Sequence, residues 1–276
     1  MTNKHEIFYG SNVRQMPKLL AQGKVPVSVA YVMKERLNGN KEMVSTYWDT
    51  SDLVAYDSKK NQDNLKFLLT VDNKNQITEQ GRKVLELIHY DNKSIFEGSI
   101  KIGDQYKEMV GEGFIEVARK DLGKIENRLT QSEILNSKAW RILARHPDEV
   151  PKEFAEDKKL LGEYVKWIQN QTNDTKNMGV FLDSQGKEAK LRAWYVGRTE
   201  YGSVVDGGDY LGIGYGRFAS ISGGATEESS QSDAIENKGN LIVPNLEDVL
   251  KYSSDFISPR DKKEFEEGLG NLYQKK

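Results

Sequence analysis

Apolar residues recur along the chain with two different periods, and the alternation between them separates helices from strands. Val29, Val32, Met33 and Leu37 fall at helical spacing after Pro26, and Asn38-Gly39 marks the stop. Before them, Ser11 and Gly23 bracket a shorter helix around residues 17–22. Three β-branched or aromatic runs follow at 43–48, 53–56 and 65–71, parted by Asp, Ser, Asn and Lys, and this pattern predicts an antiparallel meander. Thr78 is placed to cap a helix reaching about Tyr90 with the stripe Val84, Leu85 and Ile88, in which Gly81 reads as a mild defect. Short strands are expected at 99–102 and 114–118.

The second half repeats the mixture. Thr130-Gln-Ser-Glu133 has capping-box spacing, and the helical region it opens ends at Arg145, before His146-Pro147. Phe154, Leu161, Tyr164, Val165 and Ile168 predict a longer helix over 152–170. Residues 179–182 and 191–196 read as a hairpin around Asp183-Ser-Gln-Gly186. Glycines then crowd the chain after Gly207, and the period of two puts Gly212, Gly214 and Gly216 on one strand face. Trp194 is the expected cover for that face, as aromatic side chains protect sheet glycines. Residues 222–240 are Ser, Glu, Gly and Asn with little to bury, which predicts a flexible linker. Beyond it, the stripe Phe265, Leu269, Leu272 and Tyr273 closes the chain in a helical hairpin over 241–276. The expected class is therefore α+β: a body over 1–221 of antiparallel strands with helices packed on one side, and a candidate subdomain division near residue 130.

Composition narrows the function classes. With 276 residues, 37% hydrophobic and 30% charged, the chain is long enough to bury a core without staples, and it contains no cysteine. Disulfides, thiolate nucleophiles and cysteine-held zinc or iron are thereby excluded. The formal net charge of -2 gives no overall basic field, so nucleic acid is not the expected partner. No apolar run has the length of a signal peptide or a membrane span, and a cytoplasmic setting without membrane contact is expected.

Three histidines, His5, His89 and His146, stand apart from one another and from any metal-binding spacing. Gly212-Ile-Gly214-Tyr-Gly216 is followed by a strand pattern rather than a helix, so it does not match a phosphate-binding loop. The residues most suited to recognition lie between 191 and 221, where Arg192, Trp194, Arg198, Tyr201 and Arg217 join stacking surfaces to anion-binding guanidiniums on a glycine-rich backbone. Acidic Glu200, Asp206 and Asp209 share the segment, so the expected ligand is a protein surface or a small anionic or ring-bearing molecule rather than a polyanion. The alternative is a divalent-metal hydrolase acting on a phosphodiester or similar anion. In it, Asp49, Asp52, Asp206 and Asp209 hold Mg or Mn and Arg198 stabilises charge. The favoured reading is non-catalytic binding, with no cofactor.

At Gln15-Met-Pro-Lys-Leu-Leu20, Pro26-Val-Ser-Val-Ala30, Trp48-Asp-Thr-Ser-Asp52, residues 140–145, Arg192-Ala-Trp-Tyr-Val196 and Gly216-Arg-Phe218, the chain resembles an uncharacterised group of archaeal proteins. The resemblance spans most of residues 1–221. It implies a cytoplasmic archaeal setting and brings no catalytic residue with it.

Overall fold

The computed structural model describes residues 5–57, 64–96, 99–111, 113–125, 128–182, 188–208, 211 and 216–222. The linker and helical hairpin expected after Ser222, the turn at 183–186, and Gly212 and Gly214 lie outside the described residues. The chain opens with β1 (His5–Tyr9), α1 (Asn12–Ala21), β2 (Lys24–Pro26), α2 (Val29–Leu37), α3 (Lys41–Val44) and β3 (Trp48–Tyr56). Next come β4 (Asn64–Leu68), α4 (Glu79–Leu85), β5 (Ile95–Phe96), β6 (Ser99–Lys101), α5 (Tyr106–Met109) and β7 (Phe114–Ala118). β8 (Arg128–Thr130), α6 (Gln131–Asn136), α7 (Lys138–Leu143) and α8 (Leu160–Thr172) follow. The described part ends with β9 (Lys176–Phe181), β10 (Lys190–Val196), β11 (Val205–Asp206) and β12 (Arg217–Ser222).

All these strands join one sheet whose spine is the antiparallel pair β3 and β10. At one end of the spine, β4 lies on Leu53–Tyr56 of β3 and β6 on Lys190–Leu191 of β10, with β7 and β5 outside them. At the other end, β12 pairs with β3 at Asp49, and β11 pairs with β10 at Tyr195 and Val196. β1 and β2 extend that end beyond β12, while β9 and β8 extend it beyond β11. The sheet is mixed, since β12 with β3 and β11 with β9 run parallel. Strands from before and after residue 130 belong to it alike.

The sheet forks where β3 bulges. Between the pairs Leu53–Ala193 and Asp49–Tyr195, β3 advances four residues while β10 advances two, so Thr50, Ser51 and Asp52 hold the surplus. All three are buried, and each finds a partner that an ordinary ladder position would not need. The Thr50 hydroxyl donates to the Trp194 carbonyl at 2.7 Å, and the Ser51 N–H donates to the Val27 carbonyl at 2.9 Å. The Val29 N–H donates to the Asp52 carboxylate at 2.9 Å, at the first turn of α2. Polar residues in a buried strand thus mark the place where the backbone leaves the ladder.

Side chains alternate across the spine into two cores. Val54, Trp194 and Val196 face α2, α7 and α8, whereas Leu53, Leu191 and Ala193 face α1 and α4. The helices therefore cover both faces of the sheet, and the expectation of helices on one side is corrected. With both faces of β3 buried, period-two alternation of apolar and polar residues disappears from its sequence.

Local signals explain the element ends. The predicted capping box at Thr130 and Glu133 is present, with the Thr130 hydroxyl taking the Glu133 N–H and the Glu133 carboxylate taking the Thr130 N–H. Thr130→Ala is expected to lower unfolding free energy by about 1 kcal/mol, measured by chemical denaturation. Thr78 caps α4 through the Gly81 N–H at 2.9 Å. Gly81 itself is no defect: a Cβ there would lie 2.4 Å from the Thr70 carbonyl oxygen, so the glycine permits α4 to sit against the chain leaving β4. The run at 43–48 is not a strand of a meander, because the Asn40 side chain caps a helical turn at its start by accepting from the Glu42 and Met43 N–H groups. The long helix begins at Leu160 rather than near 152, since residues 151–159 form turns, one closed by the Asp157 carboxylate accepting from the Lys159 N–H. Among the described residues, no helix is long and apolar enough to cross a membrane.

Candidate functional site

The residues that sequence reasoning singled out separate into an interior set and a surface set. Arg192 and Trp194 point to the same side of β10 and are 5% and 0% exposed. Trp194 stacks on Phe67 with ring centroids 5.3 Å apart and planes 18° from parallel. Its expected role as cover for a glycine face can be followed at Gly207 and Gly216 among the described residues. A Cβ on Gly207 would come within 3.2 Å of the indole, so Gly207 lies under Trp194. Gly216 instead lies against the Asp49 carboxylate and the Gly10 carbonyl, where a Cβ would approach to 2.6 and 2.7 Å. Arg192 donates to the Gly208 carbonyl and so ties β10 to the turn beyond β11. Both residues are therefore buried within the sheet and its turn rather than exposed on its surface.

Arg198 and Arg217 are different. Arg198 is exposed just beyond the end of β10, with its guanidinium carbon 5.9 Å from the centre of the Tyr47 ring. Tyr47 meets Tyr195 edge to face at 6.5 Å and 87°. Arg217 opens β12 opposite Tyr9 of β1, and its guanidinium carbon sits 5.2 Å from the centre of the Tyr9 ring, which is 60% exposed. Each guanidinium is thus held over an aromatic face, an arrangement that orders the cation while leaving its edge to other partners. Arg217 also donates to the Thr46 hydroxyl at 2.8 Å. The backbone of Tyr201 lies in a 3-10 turn over Thr199–Tyr201 that follows Arg198.

The three described aspartates of the four do not form one cluster. Asp52 is fully buried in an ion pair with Arg145 at 3.2 Å. Asp49, 3% exposed, takes the Arg217 N–H at 2.8 Å. Asp206 takes the Gly208 N–H at 2.6 Å. Asp49 and Asp206 pair with Tyr195 from opposite sides, so their Cα atoms are two strand spacings apart, about 10 Å, with a tyrosine between them. Asp209 lies outside the described residues. Among the described residues, no three His, Asp or Glu side chains converge as ion ligands.

Beneath the surface arginines lies a group that sequence reading missed. Arg36 of α2 is wholly buried and directs its guanidinium to five oxygens. It donates to the Met43, Thr46 and Gly197 carbonyls at 2.8, 2.9 and 2.9 Å. The remaining bonds go to the Tyr164 hydroxyl at 2.8 Å and the Ser203 hydroxyl at 2.9 Å. Those acceptors belong to the chain before β3, to the loop after β10 and to α8. The Thr199 hydroxyl adds a bond to the Val44 carbonyl at 2.8 Å, so the two loops that carry Tyr47 and Arg198 are joined to each other and to one cation. The signal was available: Arg36 continues the spacing of Val29, Val32 and Met33, on the face that the helix buries. Tyr9 and Tyr47 were missed because nothing local in sequence connects them to arginines on distant segments of the chain.

This architecture has a counterpart among solved structures. A protein whose structure is described as "Accommodation of massive sequence variation in Nanoarchaeota by the C-type lectin fold" superposes with a TM-score of 0.52 at 14% identity, over 80% of this chain and 98% of that one. The chain is similar to it in fold. At this identity the likeness concerns the path of the backbone, and it carries neither a residue's role nor membership of the archaeal group named above. No family model and no curated protein matches the sequence.

Proposed function

We propose that the chain is a binding protein whose recognition surface is the end of the sheet formed by Tyr9 and Arg217 on one side and by Tyr47, Tyr195 and Arg198 on the other. One observation carries the reading. Arg198 and Arg217 are each seated on a tyrosine ring, and among the described residues neither guanidinium has a carboxylate in ion-pair contact. Arginine and tyrosine held in this way lose little side-chain freedom on binding and are the residue types in which interface energy concentrates. The partner that suits them is a protein surface or a small anionic molecule. The C-type lectin neighbour supports a binding role in one respect: its fold is described as accommodating massive sequence variation, a property that suits a scaffold with recognition carried by replaceable side chains.

The test is capture of a partner by the wild-type chain and by the Arg198→Ala and Tyr47→Ala variants. Each variant is expected to keep its unfolding free energy within about 1 kcal/mol, because one side chain is exposed and the other half-buried. Each is also expected to weaken the captured partner about tenfold or more. A partner held equally by wild type and both variants would place recognition elsewhere.

A further inference from the structure

Three guanidiniums meet on the single dipeptide Thr46-Tyr47. Arg36 takes the Thr46 carbonyl from below at 2.9 Å, Arg217 takes the Thr46 hydroxyl at 2.8 Å, and Arg198 lies over the Tyr47 ring at 5.9 Å. Among the described residues, no carboxylate forms an ion pair with any of the three. Several other arginines of this fold are neutralised: Arg145 has Asp52, Arg141 has Asp148 and Glu149, and Arg128 has Asp174. The acids near the dipeptide are otherwise engaged or turned out. Asp49 directs an oxygen to the Arg217 backbone N–H, and Glu200 is exposed in the turn after Arg198.

We infer that the Thr46-Tyr47 elbow is an oxyanion site, binding a carboxylate or phosphate group with the edges of Arg198 and Arg217. The inference rests on the proposed recognition surface and names the chemistry of the group it anchors. A guanidinium offers five N–H donors in a planar fork, and Arg217 uses one on Thr46, so the geometry for two parallel bonds to an oxyanion remains. The role of Arg36 is positional and electrostatic. All five of its hydrogen bonds end on neutral oxygens, so its charge is solvated by the protein without being cancelled, and in a low-dielectric interior that charge acts on the elbow above it. The buried cation and the two surface cations therefore act in the same direction, and the site favours an anion before any partner arrives.

The full-length chain, labelled for NMR, is titrated with inorganic phosphate and separately with a short acetylated peptide of glutamates, each against sodium chloride at matched ionic strength. Saturable shifts confined to Thr46, Tyr47, Arg198 and Arg217 are expected with at least one of the two probes, and the stronger one identifies phosphate or carboxylate as the preferred source. Arg198→Gln and Arg217→Gln are each expected to weaken that binding at least tenfold, whereas Arg128→Gln, on the outer strand β8, leaves it unchanged. Arg36→Lys keeps the charge and loses the fork. It is expected to weaken binding severalfold and to speed amide hydrogen exchange at 44–47 and 197–203 together, a paired response that general destabilisation at Arg145→Lys does not produce. Shifts that never saturate, that chloride reproduces, or that survive both surface variants overturn the site. If both probes fail while partner capture is still lost in Arg198→Ala, the oxyanion assignment falls and the recognition surface stands.

Discussion

Replacing Arg36 with methionine is expected to lower the unfolding free energy by about 3–5 kcal/mol, a large share of the stability of an ordinary domain. The apolar chain of methionine fills much of the same space, so the loss comes from the acceptors left behind. The Met43, Thr46 and Gly197 carbonyls and the Ser203 and Tyr164 hydroxyls all face a buried position from which their donor has gone. Each buried orphan costs about 1–3 kcal/mol, and water entry or local relaxation offsets part of the sum. The Tyr164 and Ser203 hydroxyls lie 2.5 Å apart and can still bond to each other, which is why the total falls below five full penalties. Denaturant unfolding followed by tryptophan fluorescence measures the change, since Trp48 and Trp194 are wholly buried in the core that α2 covers. Arg36→Lys reaches some of the same oxygens with a single ammonium and is expected to lose about half as much. A loss below about 1 kcal/mol in the methionine variant would show that the two loops hold their shape without the guanidinium.

How much of this was legible in the sequence depends on the range of the interactions that fix each feature. The Thr130 capping box and the Thr78 cap were readable because cap and helix lie within three residues of each other. The position of Trp194 over a glycine was readable as a type of contact but not as a particular pair, since Gly207 and Gly216 are equally glycine and only the tertiary fold decides which lies under the indole. β3 was harder. Two-sided burial removes the alternation that marks a strand, and its polar residues Thr50, Ser51 and Asp52 look like a turn until their partners at Trp194, Val27, Val29 and Arg145 are known. The surface arginines were found by residue type alone. Their tyrosines were not, because Tyr9 meets Arg217, and Tyr47 meets Arg198, only through chain segments far apart in sequence.

Asp52 and Arg145 carry the second large effect. Arg145 ends the α7 region with a left-handed backbone, φ 61°, and reaches back to β3 with one side-chain nitrogen on Asp52 at 3.2 Å and another on the Val71 carbonyl. Both side chains are 1% exposed or less. Removing one member of a buried pair leaves a charge without its partner, so Arg145→Met and Asp52→Leu are each expected to cost about 3–5 kcal/mol. The double variant is expected to cost clearly less than the sum, because two apolar groups of suitable volume replace two desolvated charges. Strict additivity in that cycle would mean that the pair does not interact.

The same carboxyl makes a signed prediction for pH. Burial pushes the Asp52 pKa above its ordinary 3.8, and the Arg145 charge together with the N–H groups of Val29 and Thr70 holds back part of the rise. With a raised pKa, the folded state retains a proton that the unfolded state releases, so folding stability falls as pH rises from the unfolded value toward the folded one. Above the folded pKa this contribution is flat, and below 3.8 it is fully present. The Asp52→Asn variant cannot titrate. Its stability, measured from pH 3 upward beside the wild type, is therefore expected to lack this downward component, so that the wild-type advantage over Asp52→Asn shrinks as pH rises through the window and then stays constant. An advantage that grows with pH over the same range would place the folded pKa of Asp52 below its unfolded value, and would show that Arg145 and the two backbone donors outweigh the cost of taking this carboxylate out of water.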